Sequence, residues 1–225
     1  MTRGLFITGT DTGVGKTFVT AALLAELRLR GVRAAAFKPI ACGLGGRHDA
    51  EIYVKIMDRE QPLDLINSVY LRHPLAPSVA AKLERKRIDI QKIHAAYARL
   101  SDEYEIVLVE GAGGLLVPIR EGYFVADLSK SLKLPLVIVA RIGLGTINHT
   151  LLTVHAARAK GLKVRGIILN DTVGGKHGLA EKTNIKTVAE LCSVPLLGLM
   201  PHGKGIKCAA QKICDRLFDA PNLSP

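Results

Sequence analysis

The chain has 225 residues, 48% of them hydrophobic, which predicts one α/β domain of ordinary size over residues 1–225. None of its apolar runs approaches the roughly 18 residues of a membrane span or forms a secretory signal, so we predict a cytoplasmic protein with no membrane partner. The net charge of +11 suits anionic substrates such as nucleotides, whereas scattered basic residues and few aromatic side chains argue against a nucleic-acid partner.

Short apolar runs that predict β-strands alternate along the chain with segments whose apolar residues recur at helical spacing. The predicted strands are 5–8, 34–37, 106–109, 136–140, 164–169 and 196–199. The predicted helices are 17–30, 49–57, 90–100, 124–132, 146–160 and 182–192. This alternation predicts a mostly parallel sheet with helices on both faces. Segment 61–77 contains three prolines and is predicted to be irregular.

The first predicted strand is followed by GTDTGVGKT at 9–17, which also opens the first predicted helix. Glycines let backbone N–H groups turn toward phosphate oxygens, and the helix N-terminus adds positive charge. Lys16 can bridge the outer phosphates and Thr17 can bind Mg²⁺. The usual motif has one residue fewer before Gly-Lys-Thr, and Thr10 occupies the expected glycine position. We still predict a phosphate-binding loop and a fold like that of P-loop NTPases.

Polar residues follow the other predicted strands just as directly. They are Lys38-Pro39, Glu110 to Gly114, Arg141 and Gly143 to Gly145, Asn170-Asp171, and Pro201-His202. The carboxyl ends of parallel strands meet at one edge of a sheet, where open α/β sheets bind ligands. We therefore expect one site built from six loops.

Two acidic residues are candidates for binding a metal ion. Glu110 ends a strand of Ile-Val-Leu-Val, and a carboxylate at that depth needs a cation or donors beside it. Mg²⁺ held between Thr17, Glu110 and phosphates would supply the cation, while a glutamate satisfied by backbone donors is the alternative. Asp49 follows a glycine-rich stretch and opens a predicted helix, so helix capping and metal contact are both open. Lys38, fixed by Pro39, is expected to point into the site.

Other candidates have simpler interpretations. Cys42 could be a nucleophile, but the sequence fixes no base near it, so a small packing residue is favoured. The four cysteines lack metal-ligand spacing, so we expect reduced, mostly buried thiols rather than zinc or disulfides. Gly143 to Asn148 lacks the third glycine of a dinucleotide fingerprint and is first interpreted as a helix start. Asn148 and His149 could nonetheless present N–H donors to an anion.

Five segments together resemble one enzyme family, the dethiobiotin synthetases. They are GTDTGVGKT, KPIACG, VEGAGGLLVP, LGTINHTLLT and ILND, in the order and approximate spacing of that family from residue 5 to about 201. The resemblance implies an ATP-dependent cyclo-ligase of biotin synthesis. Its substrates would be 7,8-diaminononanoate, CO₂ and ATP with Mg²⁺, and its products dethiobiotin, ADP and phosphate. It also implies a homodimer in which the partner subunit's turn at 145–148 grips the substrate carboxylate.

The resemblance also assigns residues by position. Lys16 and Lys38 would be catalytic, and Thr17, Asp49 and Glu110 would hold magnesium. The nucleotide would contact Gly13, Val14, Gly15, Lys16, Thr17, Phe18, Asn170 and Pro201, with Asn170 at the adenine edge. The diamine and its carbamate would contact Thr12, Lys38, Cys42, Gly113, Gly114 and Asn148.

The chain departs from the family at several positions, and two other functions compete. Cys42 stands where relatives have a serine or threonine, and Gly143 stands where some have a lysine, with Arg141 nearby but out of register. The segment after His202 matches poorly.

The main alternative is a partitioning-type ATPase that switches binding to DNA or membrane, but that class has a signature lysine where this chain has Asp11. Another carboxylate- or amide-activating ligase on the same scaffold is the second alternative.

Overall fold

The structure, a computed structural model, describes residues 3–219, the side chains of Arg3 and Asp219 excepted. Its strands are β1 (Arg3–Gly9), β2 (Ala34–Phe37), β3 (Ile40–Cys42), β4 (Val69–Leu71), β5 (Ile106–Gly114), β6 (Pro118–Arg120), β7 (Tyr123–Phe124), β8 (Leu136–Arg141), β9 (Val164–Asn170) and β10 (Leu196–Met200). Its helices are α1 (Lys16–Leu29), α2 (Gly43–Ile56), α3 (Leu63–Ile66), α4 (Pro77–Leu83), α5 (Ile90–Glu103), α6 (Val125–Ser131), α7 (Thr146–Ala159), α8 (Leu179–Leu191) and α9 (Ile206–Cys214), followed by a π-helical turn at Asp215–Asp219.

Six strands form a parallel sheet in the order β10-β9-β8-β1-β5-β2. Its central strands are continuous apolar runs because helices cover both faces. Successive residues of β9 show this: Ile168 belongs to the main core with α1 and α9, whereas Ile167 and Leu169 belong to a second core with α7 and α8. The predicted α/β fold with helices on both faces is confirmed.

The six predicted strands and six predicted helices are all present, with shifted ends. The sequence-based description missed β3, β4, the β6–β7 hairpin, α3 and α9. Most of these elements are too short to show a period. Segment 61–77 is therefore not wholly irregular, since it contains α3 and β4.

Helix α2 begins at Gly43, six residues earlier than predicted, so Asp49 lies inside the helix and does not cap it. Glycines normally oppose helix formation, which made residues 43–46 look like a loop. Here they permit close packing, because a Cβ on Gly43 would lie 2.9 Å from Pro74 Cβ and one on Gly46 would lie 3.1 Å from Ala41 Cβ. These tertiary contacts outweigh the low helix propensity of the glycines.

The chain between β2 and β5 builds one wall above the carboxyl edge of the sheet. It contains α2 and a separate parallel pair, β3 and β4, joined by register from Ile40↔Val69 to Cys42↔Leu71. Within the described residues, no helix is both long and apolar enough to cross a bilayer.

Candidate functional site

The turn between β1 and α1 requires glycine at two positions with left-handed backbone. Gly13 has φ +75° and Gly15 has φ +87°. A Cβ on Gly15 would lie 2.0 Å from Asn170 Nδ2, and this same amide donates to Val14 O at 2.9 Å. The end of β9 therefore packs directly against the loop and holds its shape.

The loop lysine is nearly buried at the start of α1, with 7% of Lys16 exposed. Its ammonium group donates to Asp11 O at 3.1 Å. Burial lowers the pKa of Lys16, the nearby charge of Glu110 opposes that shift, and the charge of Lys38 adds to it. The two lysines are thus close enough to affect each other electrostatically.

Lys38 lies between two carboxylates. Its ammonium group contacts Asp49 Oδ2 and lies 3.2 Å from Glu110 Oε1. Burial acts to lower the pKa of Lys38, but the charges and hydrogen bonds of Glu110 and Asp49 outweigh it, so the pKa is raised. The side chain therefore stays cationic. Asn67 holds the backbone here, donating to Lys38 O at 2.9 Å.

Glu110 connects three elements beneath the site, and only 1% of it is exposed. Its Oε1 accepts from Thr17 Oγ1 at 2.9 Å as well as from Lys38. Its Oε2 accepts from the hydroxyl of Tyr53 in α2. Sequence reasoning missed Tyr53, whose position four residues after Asp49 on the same helix face was the available signal.

The two lysines and the oxygen groups around them line one cavity of about 940 Å³. Its polar part contains both lysines, Thr17 and the two carboxylates. Predicted site residues that also line it are Thr12, Gly13, Gly15, Phe18, Cys42 and Gly113. Its apolar part includes Ile40, Ile52, Leu75, Pro77 and Val117. The cavity can therefore hold a charged group beside an aliphatic chain.

The donor set at the polar end suits magnesium. A threonine hydroxyl and two carboxylates are hard oxygen ligands, and Mg²⁺ typically takes one or two carboxylates with phosphate oxygens and water. The Lys38 ammonium group already lies between these carboxylates, so their orientation accommodates a cation. Among the described residues no three His, Cys, Asp or Glu side chains cluster, and a site of this composition does not require such a cluster.

Sequence comparisons connect this site to known enzymes. A family model described as an AAA domain matches residues 3–208. An ATP-dependent dethiobiotin synthetase from Thermodesulfovibrio yellowstonii is 41% identical, with 90% of this chain and 90% of that protein covered. The Bacillus subtilis enzyme of the same name is 40% identical, with 99% of this chain and 96% of that protein covered. The chain belongs to the dethiobiotin synthetase family. The predicted ATP-dependent ligase is confirmed, and the partitioning-type alternative is not favoured.

Solved structures with the same fold include members of another functional class. The cell division protein MinD of Aquifex aeolicus superposes with a TM-score of 0.61 at 15% identity, covering 96% of this chain and 97% of that one. The Pyrococcus furiosus MinD ATPase gives 0.59 at 17% identity, covering 97% and 99%. At this identity the likeness supports the fold alone.

In this member of the dethiobiotin synthetase family, five predicted residues lie outside the cavity lining: Val14, Gly114, Asn148, Asn170 and Pro201. Asn148 is exposed in the first turn of α7, and Pro201 directly follows β10. Asn170 is buried beside the loop, and no described residue bonds its Oδ1.

The thiol of Cys42 is not activated as a nucleophile. Burial raises the pKa of Cys42 to about 11, so its thiol stays protonated in the cavity wall. All four are free cysteines, but only Cys214 is buried. The expectation of mostly buried thiols is therefore wrong.

Proposed function

We propose that this chain joins CO₂ to 7,8-diaminononanoate at the expense of ATP and closes the ureido ring of dethiobiotin, in the cytoplasm and as a homodimer. The observation that carries the proposal is the convergence of Lys16 and Lys38 with Thr17, Asp49 and Glu110 in one cavity. The rest follows from what each step of this reaction requires.

The first requirement is to bring two anions together. One amine of the substrate adds CO₂ and loses a proton, which gives a carbamate anion. A carbamate oxygen must then attack the γ-phosphorus of ATP while ADP leaves, against the charge of the phosphate chain. Lys16 and Lys38 supply fixed positive charge on either side of that attack, within a largely buried site where charges interact strongly.

The second requirement is ring closure. The remaining amine attacks the carbonyl carbon of the phosphorylated carbamate, loses a proton and expels phosphate. Vicinal amines held in one cavity make this step intramolecular. The apolar wall, with Ile40, Ile52 and Leu75, supports binding of the aliphatic chain that carries them.

The proposed cofactor is Mg²⁺, held by Thr17, Asp49 and Glu110. When bound, it would neutralise phosphate charge beside the two lysines. The chain's own contribution is to orient these three oxygen ligands. Thr17 does so from the first turn of α1, Asp49 from the second turn of α2, and Glu110 from the end of the buried apolar part of β5.

The proposed homodimer gives Asn148 a role. This residue lies outside the cavity of its own chain, and exposed leucines flank it, with Leu144 83% and Leu152 59% exposed. Apolar surface around a helix N-terminus supports a partner contact at which Asn148 meets the substrate carboxylate of the other subunit.

The test is product formation from defined components. The chain is incubated with 7,8-diaminononanoate, ¹³C-labelled bicarbonate, ATP and Mg²⁺, and products are followed by mass spectrometry. We expect labelled carbon in a cyclic urea, with one ADP formed for each ring closed. ATP hydrolysis that is unaffected by the diamine and yields no labelled ring would reject the proposed function.

A further inference from the structure

Tyr53 places its hydroxyl group against Glu110, one of the residues that would hold the metal. It lies in α2 one turn after Asp49, and its side chain is completely buried in the main core. The hydroxyl donates to Glu110 Oε2. A buried tyrosine hydroxyl needs a partner, and this one has taken a carboxylate oxygen of a candidate metal ligand.

As a result, the two oxygens of Glu110 differ. Oε1 faces the groups of the site, at 2.9 Å from Thr17 Oγ1 and 3.2 Å from Lys38 Nζ. Oε2 is turned toward the core and bound by Tyr53. The tyrosine ring is packed in the main core, so rotation of the carboxylate away from it would break this bond.

We propose that Tyr53 is a positioning residue that leaves Oε1 as the single oxygen of Glu110 available to a cation. The inference rests on the proposed function, because it assumes that Glu110 binds the metal. Mg²⁺ requires near-ideal octahedral geometry and Mn²⁺ prefers octahedral oxygen sites, which favours one oxygen from each carboxylate, whereas Ca²⁺ readily takes both oxygens of one carboxylate. By occupying Oε2, Tyr53 favours the smaller cations over Ca²⁺.

Tyr53→Phe tests this role because it removes the hydroxyl and keeps the ring. A matched control exists on the opposite edge of the sheet. Tyr104 is also buried, and its hydroxyl donates to Glu60 Oε2 at 3.0 Å, remote from the cavity lining. Tyr104→Phe therefore removes the same bond type without touching the site.

The measurement is Mn²⁺ binding to the protein with ADP, by electron paramagnetic resonance, with Ca²⁺ as competitor. Partners of metal ligands typically change affinity by about 10- to 100-fold. We expect Tyr53→Phe to weaken Mn²⁺ binding by at least about tenfold and to make Ca²⁺ a better competitor, whereas Tyr104→Phe leaves both unchanged. Thermal melting of both variants separates this effect from a general loss of stability.

A second comparison tests whether the effect acts through Glu110, because poor folding caused by Tyr53→Phe would weaken binding in both backgrounds. In a Glu110→Gln background, the carboxylate that the tyrosine hydroxyl orients is already gone, and Tyr53→Phe should change Mn²⁺ affinity little further. If Tyr53→Phe binds Mn²⁺ and Ca²⁺ as the unmodified chain does, or weakens Mn²⁺ binding equally in both backgrounds, the inference is overturned. If the unmodified chain binds Mn²⁺ no better than Glu110→Gln does, the proposed metal site itself fails.

Discussion

Lys38 is the single residue on which the proposed chemistry depends most. Its ammonium group is buried between Asp49 and Glu110, and these carboxylates keep it charged. The charge is therefore available where an incoming carbamate needs it, without a separate protonation step.

At this scale we predict that Lys38→Met lowers the rate of dethiobiotin formation by about 10²- to 10³-fold, because one fixed charge facing the transferring phosphoryl group is lost. The dissociation constant for ATP should change little, since Lys16 and the loop remain. Initial rates and equilibrium dialysis with ATP measure the two quantities. Lys55→Met, an exposed lysine of the same helix as Asp49, is the control. Normal turnover in Lys38→Met would remove the residue from the mechanism.

The roles of single residues could be predicted from sequence where a charged side chain occurs in an otherwise apolar stretch. Lys38 and Glu110 stood out because each charged side chain directly follows an apolar run in the sequence. Tyr53 and Asn67 did not, because a tyrosine in a helix is typical of core packing and an asparagine near prolines is typical of a turn. The four-residue spacing from Asp49 was a local signal for Tyr53, but the contacts of Tyr53 with Glu110 and of Asn67 with Lys38 O join residues that are distant in the sequence.

At the scale of elements, the phosphate-binding loop is held by the strand that ends beside it. Asn170 of β9 donates to Val14 O and fills the space next to Gly15. The loop thus has two distinct reasons for glycine. Gly13 is required only by its left-handed backbone conformation, whereas Gly15 must also leave room for the Asn170 side chain.

We therefore predict unequal effects of alanine at these two glycines. Gly13→Ala meets no atom within 4 Å and suffers only left-handed strain, roughly 1–2 kcal/mol. Gly15→Ala adds a steric clash at 2.0 Å and should displace Asn170, with at least about tenfold weaker ATP binding than Gly13→Ala. Isothermal titration calorimetry with ATP measures the difference. Equal affinities would mean that contact between loop and β9 is unimportant.

Element types followed from sequence wherever the apolar pattern was long. Continuous runs predicted the parallel strands, and 3.6-residue spacing predicted the main helices. Strands of two or three residues carry no such signal, so β3, β4, β6 and β7 were missed. The end of β5 was missed because Gly-Ala-Gly-Gly has poor strand propensity, although Gly114 pairs with Gly9.

At the scale of the whole molecule, the alternation of strand-like and helix-like segments along the sequence predicted a parallel sheet with a layer of helices on each face. It also predicted one site built from the loops after six strands. The cavity contains predicted residues from the ends of β1, β2 and β5, but none of those predicted after β8, β9 and β10. Asn148 lies outside the cavity lining of a single chain. Contacts between subunits leave no hydrophobic period in the sequence. The place of Asn148 in the site therefore stays a prediction that depends on the homodimer.

The proposed homodimer predicts that two inactive variants regain activity when they pair in a mixed dimer. Lys38→Met damages the site in its own chain, whereas Asn148→Asp places a negative charge against the substrate carboxylate of the partner's site. A mixed dimer then contains one intact site. Random pairing of equal amounts should recover roughly a quarter of full activity after refolding together. Recovery no greater than the sum of the separate chains would reject a shared site.

The central claim is that this cavity brings a carbamate oxygen to the γ-phosphorus of ATP between Lys16 and Lys38. Transfer of oxygen from CO₂ to phosphate tests it most directly, with ¹⁸O-labelled bicarbonate and short reaction times. We predict that one carbamate oxygen stays in the ureido carbonyl and the other appears in inorganic phosphate, seen by mass spectrometry and by the isotope shift in ³¹P spectra. Dethiobiotin formed together with phosphate that carries no ¹⁸O would contradict this mechanism.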